Sequence, residues 1–125
     1  MRIVLVGLGG CVGSVLRFWL SGYVQTLGAG AFPYGTLAVN VLGSFAIGVL
    51  SELAESHRLL TPETHGLLVV GLLGGFTTFS AFANDTVNGV RAGLPVLAAV
   101  NVAVSVVSCL AAVWLGRATA SLAWR

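Results

Sequence analysis

The strongest constraint on the fold of this 125-residue chain is a set of four apolar stretches. Each is long enough to cross a lipid bilayer as an α-helix. A hydrocarbon core of about 30 Å is crossed by roughly 20 residues of α-helix. The predicted spans are residues 3–27, 33–51, 66–88 and 94–116. Because 57% of the residues are apolar and only 8% are charged, the sequence predicts an all-α integral membrane protein with four transmembrane helices.

Charged residues are too few and too scattered for several classes of function. Six arginines against four acids give a formal charge of +2, with no basic cluster that could bind a nucleic acid. Cys11 and Cys109 stand alone in apolar runs, without the spacing of a metal site or a disulfide framework. We therefore expect no nucleic-acid partner, and we interpret both cysteines as small packing side chains.

A polar stretch between the second and third spans is the only place where enzyme chemistry could be assembled. Residues 52–64 hold three of the four acids, with His57 among them and His65 directly after them. This composition is more typical of a solvated loop than of a metal or acid–base site. No nucleophile–base arrangement or phosphate-binding glycine loop accompanies it, so the chain is not expected to be an enzyme.

The third span carries a helix-weakening sequence near its middle. Gly74 and Gly75 are followed by Thr77 and Thr78, and glycines and threonines both lower helix propensity. A broken helix is tolerated in lipid only where its freed backbone groups are buried in protein or line a cavity. Discontinuous helices are common at ion and substrate sites. The sequence predicts a break near residues 74–78, with a ligand-free kink as the alternative.

Neutral polar residues in the second, third and fourth spans are candidates for lining an ion path. Asn40 with Ser44, and Asn101 with Ser105, are each four residues apart and so share one face of their helices. Hydroxyl and amide groups can bind a dehydrated anion weakly enough to let it leave again, which favours an anion path. The same residues would serve equally well as hydrogen-bonded contacts between helices.

Two phenylalanines and one arginine add to this interpretation. Phe79 and Phe82 are three residues apart after the predicted break, and the positive edges of their rings could face an anion. Arg17 lies well inside the first span, where it would either extend to the membrane surface or face an aqueous vestibule and attract anions.

One subunit of four helices leaves little room for an aqueous path, which favours an oligomer. Pairs of glycines four residues apart, Gly9 with Gly13 and Gly71 with Gly75, are typical of close helix packing, although such pairs occur in most membrane bundles. The sole acid within a predicted span, Asp85, lies near the end of the third. A proton-coupled transporter would usually need an acid deeper in the membrane.

Three motifs carry a resemblance to a known family: GGCVGSVLR at residues 9–17, GTLAVNVLGSF at 35–45 and GGFTTFSAF at 74–82. With them the chain resembles the CrcB or Fluc fluoride channels over nearly its whole length. The resemblance implies an antiparallel, dual-topology dimer with two fluoride pathways, each lined by both subunits. It also implies passive fluoride export across the cell (plasma) membrane of a prokaryote.

The resemblance assigns roles to particular residues. The implied fluoride pore is lined by Phe79, Phe82, Asn40, Ser80, Ser105 and Thr78. The implied cofactor is a structural Na⁺ at the dimer interface, held by backbone carbonyls at Gly74 and Thr77, and Arg17 is the vestibule cation. Ala81, Asp85 and Asn101 depart from the residues commonest in the family, Thr, Glu and Tyr, from which we expect an altered rate and an unchanged ion.

Orientation and competing functions stay open at this point. Arginines 2, 58, 117 and 125 fall on one side of the membrane and 17 and 91 on the other, a mild bias that leaves an oppositely oriented homologue as an alternative to a homodimer. A small four-helix drug/proton exporter would need a glutamate in the first span, which has none. A non-transporting membrane assembly subunit would leave the predicted break unexplained.

Overall fold

The computed structural model describes residues 1–56 and 58–124, and in this part of the chain all regular structure is helical. Four helical spans are long and apolar enough to cross a membrane: Arg2–Leu27, Tyr34–Glu55, Pro62–Arg91 and Pro95–Ala123. The first two are helices α1 and α2 and the last is helix α6. The predicted all-helical, four-span architecture is confirmed.

The third span is built from several shorter pieces. Helix α3 (Pro62–His65) leads into a π-helical segment (Gly66–Leu73) and then into helix α4 (Gly74–Phe76). After two non-helical residues, helix α5 (Phe79–Arg91) completes the span. The chain thus crosses the membrane a third time as two segments, one before and one after the interruption.

Three of the spans extend further than predicted, and the third runs from Pro62 to Arg91 instead of from residue 66 to residue 88. Helix α2 ends at Glu55 instead of residue 51, and helix α6 ends at Ala123 instead of residue 116. The predicted spans stopped where charged residues begin, but these charges pair with one another across the two helices. Arg117 Nη1 and Nη2 lie 2.9 and 3.0 Å from the carboxylate oxygens of Glu55, and Nη1 lies 3.5 Å from Glu52. The helices therefore continue beyond their apolar stretches.

Helix α1 packs against the first half of the third span through glycines. A Cβ atom added to Gly13 would meet the carbonyl of Leu72 and lie 2.9 Å from the Phe76 nitrogen, and one on Gly71 would lie 2.6 Å from the Val6 carbonyl. Gly9 and Gly75 make equally close backbone approaches. The glycine pairs seen in the sequence thus join two helices of the same subunit.

Helices α2 and α6 form a second closely packed pair. Gly48 and Gly116 bring the two backbones together, so that a Cβ atom on Gly116 would lie 3.0 Å from the Val49 nitrogen. Large apolar side chains elsewhere point outward, including Phe18 at 83% and Trp114 at 72% exposure. These outward faces suit contact with lipid or with another subunit, because either one would keep the apolar side chains out of water.

Candidate functional site

The interruption of the third span consists of Thr77 and Thr78. Thr77 (φ −86°, ψ 156°) and Thr78 (φ −150°, ψ 115°) both have extended backbone conformations, while Gly74 and Gly75 remain helical. The break therefore occupies the end of the predicted interval. Gly75 packs closely against α1 within the helix, whereas the threonine side chains supply the bonds that a helix end needs. The Thr77 hydroxyl donates to the Leu73 carbonyl (2.9 Å), and the Thr78 hydroxyl accepts from the Ala81 N–H (3.1 Å).

The side chain of Asn40 on α2 forms hydrogen bonds with the backbone of Thr78, inside the interruption. Its Nδ2 donates to the Thr78 carbonyl (3.0 Å), and its Oδ1 accepts from the Thr78 N–H (2.7 Å). A primary amide carries two N–H groups, and within the described residues only one of them is used. Asn40 thus makes the inter-helix contact that the sequence offered as one alternative, and one of its two N–H groups stays unused.

The same bonds release two backbone carbonyls. In a continuous helix the Thr78 N–H would bond the Gly74 carbonyl, but it bonds Asn40 instead. The Ala81 N–H, which would bond the Thr77 carbonyl, bonds the Thr78 hydroxyl. Carbonyl oxygens freed at a helix break suit a hard cation. The donor set therefore fits the Na⁺ implied by the resemblance, although Arg17 Nη1 already makes a long contact of 3.5 Å to the Thr77 carbonyl.

An open cavity of about 360 Å³, which we term the phenylalanine groove, lies on one side of the break. The ring centroids of Phe79 and Phe82 are 5.4 Å apart there, with their planes inclined by 53°. Phe79 is 79% exposed in the single subunit. The groove brings together most of the predicted pore residues; its lining includes Asn40, Thr78, Phe79, Phe82 and Ser105, together with Gly74 and Thr77.

A second cavity of about 490 Å³, which we term the arginine groove, lies on the other side of the break. It holds Arg17 and Ser80, and the Ser80 hydroxyl lies 3.2 Å from that of Thr78. Ser80 is therefore separated from the phenylalanine groove, although the sequence placed it among the same pore residues. Thr78 lines both grooves.

Four further polar residues of the arginine groove escaped the sequence analysis: Ser14, Ser21, Thr36 and Asn84. Helical spacing could have found three of them, because Ser14 precedes Arg17 by three residues, Ser21 follows Arg17 by four and Asn84 follows Ser80 by four. Thr36 donates a hydrogen bond of 2.7 Å to the Asp85 carboxylate, a contact across 49 residues that spacing cannot reveal.

The polar stretch between the second and third spans forms ion pairs. Glu63 lies 3.1 Å from Arg2, and Glu52 and Glu55 pair with Arg117. The described residues contain no group of three His, Cys, Asp or Glu side chains that could hold a metal. His57 and Arg125, which entered the sequence-based interpretation, lie outside the described part. Cys11 and Cys109 are free thiols, and Cys109 lies at the phenylalanine groove.

The chain matches a known protein family over most of its length. Residues 4–117 match the family model described as CrcB-like protein, Camphor Resistance (CrcB). The chain is 42% identical over 118 residues to the fluoride-specific ion channel FluC of Geotalea daltonii, covering 94% of this chain and 95% of the relative. It is 43% identical to the FluC of Geobacter metallireducens (96% and 97% covered) and 45% identical to that of Sulfurovum sp. (91% and 89% covered).

Proposed function

This chain belongs to the CrcB family, and from that premise we propose that it is a subunit of a fluoride-selective ion channel. It is a multi-pass membrane protein. Its named relatives are ion channels, which confirms the prediction that the chain is not an enzyme. The observation that carries the proposal is the phenylalanine groove, where a helix break, an amide, hydroxyl groups and two aromatic rings meet.

The groove offers an anion donors without a fixed charge. The second N–H of Asn40, the Ser105 hydroxyl and the positive ring edges of Phe79 and Phe82 would replace part of the hydration shell of F⁻. A lysine or arginine there would hold the ion strongly, whereas conduction needs binding weak enough to permit exit. The ion would move passively down its electrochemical gradient, and Arg17 would raise the local anion concentration at the arginine groove.

A dimer is proposed because the grooves are open on the single subunit. Lipid cannot supply hydrogen bonds to polar groups such as Asn40 and Thr78, and Phe79 is largely uncovered. A second copy in antiparallel orientation would close each groove and give two pathways lined by both subunits. An oppositely oriented homologue is the alternative partner, in keeping with the uneven distribution of the arginines. The expected location is the plasma membrane of a prokaryote.

Labelling from the two sides of the membrane tests the orientation. Ala29 lies in the exposed turn between α1 and α2, so an Ala29→Cys substitution can be made in a chain whose Cys11 and Cys109 are replaced by alanine. A dual-topology homodimer would give equal labelling by an impermeant maleimide added from either side. Labelling from one side alone would instead favour the partner homologue.

A structural Na⁺ between the subunits is proposed at the freed carbonyls of Gly74 and Thr77. Two copies would supply four carbonyl oxygens. The Arg17 guanidinium, which contacts the Thr77 carbonyl, would have to turn away when Na⁺ binds there, because the two positive charges repel each other. We expect removal of Na⁺ to lower the Tm of the purified dimer, and K⁺ not to restore it. An unchanged Tm would remove the ion from the proposal while leaving the channel intact.

Fluoride efflux from proteoliposomes, followed with a fluoride electrode, tests the proposed function. The wild type should release fluoride and retain chloride, and Phe79→Ala and Phe82→Ala should each reduce the flux at least tenfold. Phe45→Ala, which changes a phenylalanine outside both grooves, is the matched control. A folded, Na⁺-supplied wild type without fluoride efflux would overturn the assignment and favour a non-transporting assembly subunit. Proton-coupled efflux of a drug would favour the exporter.

A further inference from the structure

A chain of three hydrogen bonds runs from the phenylalanine groove into the contact between α5 and α6. The Ser105 hydroxyl donates to Asn101 Oδ1 (3.2 Å), and Asn101 Nδ2 donates to the Thr86 hydroxyl (2.9 Å). The Thr86 hydroxyl in turn donates to the Phe82 carbonyl (2.8 Å). Ser105 lines the groove, while Asn101 lies behind it and is only 2% exposed.

The Phe82 carbonyl, at one end of this series of hydrogen bonds, determines which group donates in each of them. A backbone carbonyl can only accept, so the single proton of Thr86 is committed to Phe82. The Thr86 oxygen can therefore only accept from Asn101, which turns the amide nitrogen toward Thr86 and the amide oxygen toward Ser105. Ser105 must then give its one proton to Asn101. That proton points away from the groove.

We propose that Asn101 is a positioning residue that sets how strongly Ser105 binds the permeating anion. This inference rests on the proposed fluoride channel. An anion in the groove needs the Ser105 proton and must compete for it with Asn101 Oδ1, so each binding event breaks one hydrogen bond. The competition weakens binding and speeds exit. Asn101 would act without touching the ion.

Planar-bilayer currents at increasing fluoride concentration test the inference. Asn101→Leu removes the competing acceptor at similar volume, so the half-saturating fluoride concentration should fall by about threefold to tenfold, the contribution of one hydrogen bond. The saturating current should fall with it, because exit becomes slower. Asn101→Val replaces this variant if the leucine prevents folding. Ser108→Ala is the matched control, because that hydroxyl bonds only carbonyls of its own helix.

A double substitution separates positioning from a merely structural role. In a Ser105→Ala background, Asn101→Leu should leave the half-saturating concentration unchanged, because no serine proton remains to be released. If Ser105→Ala carries too little current, the fluoride-induced rise in Tm gives the same comparison. An effect that persists without Ser105, or wild-type currents that Asn101→Leu does not alter, would overturn the inference. A wild type without fluoride current would instead overturn the proposed function.

Discussion

The two halves of the third span are built in opposite ways. The half before the break is pressed against α1 through Gly71 and Gly75, so closely that no side chain fits between the backbones. The half after it, helix α5, contains no buried residue and presents Phe79 and Ser80 to different grooves. One half is a fixed support and the other carries the groups proposed to meet the ion. Low packing density is typical of segments that bind ligands.

The largest expected loss of stability comes from a substitution that forces α1 apart from the first half of the third span. Gly13→Val places side-chain atoms against the Leu72 carbonyl and the Phe76 nitrogen, and backbone atoms cannot move aside as a flexible side chain can. We expect a loss of about 3 kcal/mol or more in the free energy of unfolding. The measurements are the Tm and the monodisperse fraction in size-exclusion chromatography. Gly7→Val is the control, because nothing lies within 4 Å of a Cβ atom there; equal stability of the two variants would contradict close packing.

A smaller loss is expected when the support for the break is removed. Asn40→Ala leaves the N–H and carbonyl of Thr78 without their partners, at about 1 kcal/mol for each, the lower end of the range for an unpaired group because both bonds are only part-buried. The Tm should fall and fluoride efflux should be lost with it. Ser51→Ala, on the same helix and away from both grooves, is the control. Wild-type efflux from Asn40→Ala would show that the break holds its shape without this residue.

The exposed half depends on its N-terminal cap. Thr78→Ala removes the hydroxyl that accepts from the Ala81 N–H, and a lost cap costs about 1 kcal/mol. Amide hydrogen exchange should accelerate in residues 79–84, and Thr78→Ser should restore protection. Thr61→Ala removes the equivalent cap of α3, where Thr61 accepts from the Thr64 N–H. That control should leave exchange in α5 unchanged; acceleration by both variants would mean that the two halves open together.

The smallest effect is expected from the ion pair that joins α1 to the beginning of the third span. Arg2 and Glu63 lie 3.1 Å apart with side chains 65% and 46% exposed, and exposed pairs contribute little to stability. Arg2→Gln should therefore change the Tm less than Arg117→Gln, which breaks contacts to two glutamates. A fall in Tm as large as that of Gly13→Val would mean that charge, and not glycine contact, holds the packed half.

The sequence by itself determined the four spans, the weak point in the third and the pairs of residues that share a helix face. These features are local, because apolar length and helical period are properties of neighbouring residues. The ends of the spans were less certain, since Glu55 and Arg117 are helical although they lie beyond the apolar stretches, and they pair with each other across 62 residues. The family motifs supplied the expected roles, and the structure brought most of those residues to one groove.

Only the tertiary structure decided which groove each residue joins and which bonds it makes. Ser80 follows Phe79 directly, and the helical period already points adjacent side chains in different directions. Which groove each of the two meets depends on the rotation of α5 about its axis, which only the tertiary structure fixes. Asn40 reaches Thr78 across 38 residues, and Asn101 reaches Thr86 across a helix–helix contact. Such pairings depend on how closely the helices approach and how they are turned. Those quantities are set by the whole bundle, and no local stretch of sequence contains them.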